Sequence, residues 1–271
     1  SVKAYKAPRQ IEKCGVPIIL LPTTGGTGSE VTRWAVITDT KSNEKYNLSG
    51  AALVAKAAII DWEFTLTKPS RLTADTAIDS LTHAIESYVS SKASPFTETL
   101  SLSAMALIAK NVLIAFKDPY NAVAREALSL GASQAGLAFS NASVALVHGM
   151  SRPIGANFHI SHGLSNAILL PAVTKFSVDH ARKRYARCAL AMNWASERDT
   201  EVIACKKLIN GLKRLNQRLK VPRARELISN PKHYFDKLSI MARQALQSGS
   251  PQNNPRIPTE SEIIKLYEEI W

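Results

Sequence analysis

Asp79 and His83 stand four residues apart in a stretch whose apolar positions, 74, 77, 78, 81, 84, 85 and 88, repeat at helical spacing. That relation places a carboxylate and an imidazole on one helix face, one turn apart. Facing the interior, the pair is half of a metal site built from oxygen and nitrogen donors. His148 and His162 can supply the other half, from a helix end and the turn that follows. Gly149, Pro153, Gly155 and Gly163 are expected to break regular structure there and let the chain fold back. The same Asp–His spacing also serves as a plain hydrogen-bonded pair on a helix surface. Imidazole suits iron, zinc, copper and nickel alike, so ligand type does not name the metal. His180 and His233 have no partners in sequence and read as surface residues.

A second feature is the polar, glycine-rich loop Thr23-Thr24-Gly25-Gly26-Thr27-Gly28-Ser29-Glu30. It follows an apolar run, so its amides and hydroxyls could face an anionic ligand. It carries neither a third glycine at GxGxxG spacing nor a Gly-Lys-Ser/Thr, so it is no standard dinucleotide or P-loop signature. A plain connecting turn fits it equally well.

The elements that must position these residues fall into two regimes. Residues 1–66 read as strands and turns, with a buried strand expected in 16–22, a second over 34–38 and a third over 57–61. From about Pro69 the period becomes helical, with further helices expected over 96–116, 121–138 and 204–219. A last helix opens at a capping box, Thr259 with Glu262. The expected fold is α/β plus all-α: part of a dinucleotide-binding α/β domain over 1–66, then a large all-helical metal-binding domain over 67–271.

The chain has 271 residues, 45% of them hydrophobic and 21% charged, which excludes disorder and fibrous architectures. Three cysteines far apart, with no CxxC, argue against a disulfide framework and fit a reducing compartment. No run is long and apolar enough to read as a membrane span, and the first residues have no signal-peptide core. The net charge of +12 gathers partly in 206–225, where Lys206, Lys207, Lys213, Arg214, Arg218, Lys220, Arg223 and Arg225 oppose Leu208, Leu212, Leu215 and Leu219. No aromatic interleaving accompanies it, so a solvated helix face is expected and no nucleic-acid or membrane partner.

Taken together, several long segments in order resemble the iron-containing, metal-dependent alcohol dehydrogenases of group III. They are 21–32 (LPTTGGTGSEVT), 77–86 (AIDSLTHAIE), 138–142 (AFSNA), 148–150 (HGM), 162–171 (HGLSNAILLP) and 253–256 (NNPR). The resemblance covers nearly the whole chain. It implies metal ligands at Asp79, His83, His148 and His162, with iron(II) first and zinc as the alternative. It implies contacts to the nicotinamide and ribose of NAD or NADP from Thr23, Thr24, Thr27 and Thr32. It also implies a cofactor-side Lys45, and a substrate pocket walled by Trp34 and Phe139. The implied activity is hydride transfer between NAD(P) and a small alcohol or aldehyde, in a cytoplasmic homo-oligomer.

Two departures qualify that implication. Where the family carries a second histidine after His-Gly-Met, this chain has Arg152. A guanidinium stays protonated and cannot shuttle protons. It could instead grip the carboxylate of a hydroxy acid, or be an ordinary helix-terminal cation, leaving His159, a ribose hydroxyl or water for proton transfer. The family's upstream Gly-Gly-Gly-Ser loop is also absent from these residues. The alternative function is therefore a metal-holding relative without redox turnover, and a basic helical binding module is a third.

Overall fold

The computed structural model describes residues 2–39 and 44–271, the side chains of 38, 39, 44 and 45 excepted. The N-terminal part holds two small sheets. Strand β1 (Ile19–Leu20) pairs in parallel with β4 (Ala57–Ala58), Ile19 opposite Ala57. Strands β2 (Trp34–Asp39) and β3 (Glu44–Ser49) form an antiparallel hairpin with Trp34 opposite Ser49.

The expected buried strand at 16–22 is corrected on two counts. Only Ile19 and Leu20 pair, and Ile18, Ile19 and Leu21 are exposed. Pro17 and Pro22 offer no amide to a ladder, and the pair receives strand partners on one edge only. Strand β3 was not foreseen, because Glu-Lys-Tyr-Asn-Leu-Ser is mostly polar. Its alternation shows only once folded, when Tyr46 and Leu48 turn inward.

Ten α-helices follow among the described residues: α1 (Ser70–Val89), α2 (Pro95–Lys117), α3 (Ala122–Ala142), α4 (Leu146–Phe158), α5 (His162–Ser177), α6 (Arg182–Ala191), α7 (Glu201–Arg218), the short α8 (Ala224–Leu227), α9 (Pro231–Gln247) and α10 (Glu260–Glu269). Their starts follow from capping chemistry. Ser94 and Thr97 form a reciprocal box on α2, Asn121 caps α3, Thr200 caps α7, and Thr259 with Glu262 closes the expected box on α10.

Helix α1 runs through the middle of the domain, packed by α2, α3 and α5. From Thr73 to Val89 all its side chains but Thr76 are buried. Helix α2 is the one described helix long and apolar enough to cross a membrane by length and composition. Its Ala104, Met105, Ile108 and Val112 are buried in the common core instead. On the other side α9 and α10 lock onto α4 through two tyrosines. The Tyr234 hydroxyl donates to the Tyr267 carbonyl at 2.7 Å, and the Tyr267 hydroxyl to the Met150 carbonyl at 2.7 Å. Both rings thus bury their apolar bodies without orphaning a hydroxyl.

The expected break between His148 and His162 is also corrected. Helix α4 runs unbroken through Gly149, Pro153 and Gly155, and the chain turns only at 159–161. Gly149 is a packing residue: a Cβ there would stand 2.9 Å from the Pro251 ring. The basic helix is solvated as expected, with Lys213, Arg214 and Arg218 exposed while Leu208, Leu212 and Leu215 face the core.

Candidate metal centre

Three helices deliver the donor set. Asp79 and His83 project from the same face of α1, His148 lies in the first turn of α4, and His162 opens α5. Gly163 lets the α5 start approach α1, since a Cβ there would lie 2.4 Å from the Asp75 carbonyl oxygen. Asp79 Oδ1 stands 3.8, 3.5 and 3.6 Å from Nε2 of His83, His148 and His162. One donor atom from each of the four lies within 4.8 Å of the others. Bonds of about 2.0–2.2 Å to one central ion would set tetrahedral donors about 3.4 Å apart, close to the spacing found. Asp79, His83 and His148 are nearly sealed from solvent, while the His162 side chain is 47% exposed. The site therefore opens on the His162 side.

Buried neighbours orient these ligands. Glu86 continues the Asp79–His83 face of α1 by one more turn. Its Oε2 accepts from His148 Nδ1 at 2.6 Å and from the Ala145 amide at 2.9 Å, and its Oε1 from the Val147 amide at 2.6 Å. With Nδ1 donating to Glu86, the His148 Nε2 lone pair is left facing Asp79. The Asn166 amide, one turn after His162, donates to Asp79 Oδ1 at 2.6 Å and lies 3.2 and 3.3 Å from Nε2 of His148 and His162. The His83 ring is stacked between Phe139, centroids 4.2 Å apart, and His148, 4.5 Å apart.

Burial and neighbouring charge pull the donors in opposite directions. Burial pushes the His83 imidazole down to about 3, against the opposing pull of Asp79, so it is neutral. Burial alone would raise Asp79, yet the three imidazoles hold its carboxyl below the ordinary range. Burial works to lower His148, and its bonds to Asp79 and Glu86 outweigh that and raise it. Buried Nδ1 of His83 and Oδ1 of Asn166 have no hydrogen-bond partner among the described residues. One carboxylate and three imidazoles converging in a buried site open beside His162 fit a divalent cation and fit no apolar ligand.

The threonine loop lies against α1 and α3, glycines inward. A Cβ at Gly26 would meet Thr76 at 2.3 Å, and one at Gly28, whose φ is +60°, would meet the Ala132 carbonyl oxygen at 2.5 Å. The Ser80 hydroxyl, next in chain to Asp79, donates to the Gly26 carbonyl. Thr23 and Thr27 are exposed and Thr24 is half-buried, and the Thr27 hydroxyl donates to the Ser29 hydroxyl at 3.0 Å. Thr32 is different: it is buried, and its hydroxyl is committed to its own turn through Ser29 and Trp34. The expected Lys45 stands on β3 opposite Thr38, and its side chain lies outside the described residues.

Phe139 is at the centre, on the His83 ring. Trp34 follows Arg33, whose amide donates to the Ser140 hydroxyl at 3.3 Å, so β2 begins at the same end of α3. Arg152 lies one turn beyond His148, within α4 and not at its end, and its Nη1 donates to the Ser250 hydroxyl at 3.0 Å. Burial lowers it, Glu86 opposes that, and its charge helps depress His83. His159 caps α4 in the left-handed region at φ +56° and is exposed, with no bond or ring contact to the cluster among the described residues. The sequence reading missed Glu86 and Asn166. The available signal was same-face spacing: seven residues beyond Asp79, four beyond His162.

Residues 73–271 match the C-terminal part of the Fe-containing alcohol dehydrogenase family, and residues 2–62 match iron-containing alcohol dehydrogenase. The chain is 35% identical over 254 residues to an NADPH-dependent butanol dehydrogenase of Clostridium saccharobutylicum, covering 93% of this chain and 64% of that one. It is 35% identical over 263 residues to the 1-propanol dehydrogenase PduQ of Salmonella typhimurium, covering 96% and 70%. An alcohol dehydrogenase structure from Oenococcus oeni superposes with a TM-score of 0.94 at 28% identity, covering 100% of this chain and 70% of that one. The chain thus spans just under two thirds of the length of the butanol dehydrogenase.

Proposed function

The chain belongs to the iron-containing alcohol dehydrogenase family, and from that premise we propose that it is the metal-holding part of an NAD(P)-dependent oxidoreductase acting on small alcohols and aldehydes. The observation that carries this reading is the buried Asp79–His83–His148–His162 donor set, closed on three sides and open beside His162. These four residues would hold a divalent ion, iron(II) first and zinc as the alternative. The ion, when bound, supplies Lewis acidity to the substrate oxygen, favouring the alkoxide character from which hydride leaves.

The remaining steps belong to the chain. Glu86 and Asn166 fix the ligand orientations before anything binds. Phe139 seals the His83 side and leaves the open side for the substrate. Residues 1–66 carry the loop that would meet the cofactor, with Thr23, Thr24 and Thr27 offering hydroxyls to the nicotinamide ribose. Ser80 ties that loop to the residue beside Asp79, so cofactor and substrate oxygen are set by one helix. A nicotinamide bound there would supply the ring that exchanges hydride with the substrate carbon. Arg152 cannot take the alcohol proton, and the proton leaves through water on the His162 side.

A second substrate reading rests on Arg152 itself. It is a cation beside the cluster whose described partner is the uncharged Ser250, which favours a substrate bearing a carboxylate next to the reacting carbon.

Metal analysis and cofactor titration test the proposal together. Protein loaded anaerobically with Fe(II) should hold one ion per chain and quench or enhance NADH or NADPH fluorescence saturably. His148→Ala should lose the ion. Normal metal content in that variant would sink the assignment, whereas metal retention without nicotinamide binding would leave a metal-holding relative without redox turnover.

A further inference from the structure

A polar cavity lies between the threonine loop and the starts of α1 and α3. Thr24, Gly25, Thr65, Lys68, Thr73, Thr76, Arg125 and Leu128 line it, and a water-sized sphere can move its centre through about 10 Å³ of it. Arg125 is 2% exposed. Its Nε donates to the Pro119 carbonyl at 2.8 Å and its Nη1 to the Thr73 hydroxyl at 2.9 Å, while its buried Nη2 has no partner among the described residues. No carboxylate is paired with Arg125 or with Lys68 among the described residues. Burial alone acts on Arg125, lowering its proton affinity with no opposing anion.

The helices add to this. Thr73 and Arg125 each sit four residues into their helices, α1 and α3, so two helix N-termini converge here with their positive ends. Neither first turn contains an acidic residue. Thr65 and Thr76 spend their hydroxyl protons on the Trp62 and Leu72 carbonyls. The Thr73 hydroxyl accepts from Arg125, which leaves its own proton for the cavity. A water molecule would give Nη2 an acceptor but no counter-charge. Two cations, two helix ends and no acid call for an anion.

We propose that the Arg125–Lys68–Thr73 cavity binds one small inorganic monoanion of halide size, chloride in practice. The void is too small for a nucleotide phosphate with its ester groups. Because Thr24 and Gly25 form one wall, the anion braces the inner side of the loop whose outer threonines stay exposed.

Crystals grown in sodium bromide and measured at the bromine edge provide the direct test. An anomalous peak within hydrogen-bond reach of Arg125 Nη2 is expected, and density there without anomalous signal identifies a water and overturns the proposal. In solution, melting temperature is followed as chloride replaces gluconate at constant ionic strength. A saturable rise is expected for the wild type. Arg125→Ala risks misfolding, so the comparison is Lys68→Met, which leaves the half-buried stem in place. A right-shifted or lost chloride response in that variant supports the two-cation site. An unchanged response in Lys68→Met, or a linear, unsaturable one in the wild type, refutes it.

Discussion

At the residue scale, Glu86 shows how much of a metal site is not ligand. Its two oxygens take three buried donors, and one of those donors sets which nitrogen of His148 faces Asp79. Glu86→Gln keeps the shape but replaces one acceptor oxygen with an amide donor, so at least one of the three donors loses its acceptor. Metal affinity should fall about 10–100-fold, the usual cost of losing such a support. Competition against a chromophoric chelator would measure it, and the absorption bands of Co(II)-loaded protein would report the altered His148 ligation. Unchanged affinity and unchanged bands would show that Glu86 serves only the α4 start. The four donors were legible because their types are rare and their spacing periodic. Glu86 and Asn166 were not, because a glutamate or asparagine on a helix face has many ordinary uses. Only the fold brings Glu86 to the Val147 amide, sixty-one positions away.

At the element scale, the loop–helix contact couples the two regimes of the sequence. Gly28 needs both its positive φ and its missing side chain, since a Cβ would press on the Ala132 carbonyl of α3. Gly28→Ala should cost at least about 1–3 kcal/mol from backbone strain. It should weaken NADH binding far more than metal binding, because α1, α4 and α5 do not depend on that loop for their mutual packing. Chemical denaturation, cofactor fluorescence and metal analysis on the one variant would separate these effects. Equal losses of metal and cofactor would mean that loop and helices form one cooperative unit. The element reading from sequence was sound where the helical period was clear, as for α1, α2, α3 and α7, and where a capping box marked the start, as for α10. It failed where glycine and proline were taken as breaks. In α4 the residue one turn before Pro153 is Gly149, and its bare α-carbon serves the approach of Pro251. A local breaker signal was thus outweighed by tertiary packing, whose demands cannot be seen from the residues in order.

At the scale of the whole molecule, the donor set is a staple. One ion would join the middle of α1, the start of α4 and the start of α5, three helices otherwise held by apolar packing, by Glu86 at the α4 start and by Asn166 on Asp79. An ion present at 100 times its dissociation constant adds about 2.7 kcal/mol to stability by mass action. For a chain of this size, at about 2–4 °C per kcal/mol, the melting temperature should rise by roughly 5–10 °C. A chelator should reverse the rise, and His148→Ala should abolish it. The gain should also be local. Helices α6 and α7 pack on each other, with α7 against α5 and α6 against α1 and α2, and supply no ligand. Hydrogen exchange should therefore slow on metal loading in α1, in the first turns of α4 and α5, and least in α6 and α7. Protection spread evenly over all helices would mean that the ion shifts only global unfolding. Protection confined to the three ligand-bearing helices would mean that the centre opens locally, which is how an ion enters a site with three of its four ligands buried.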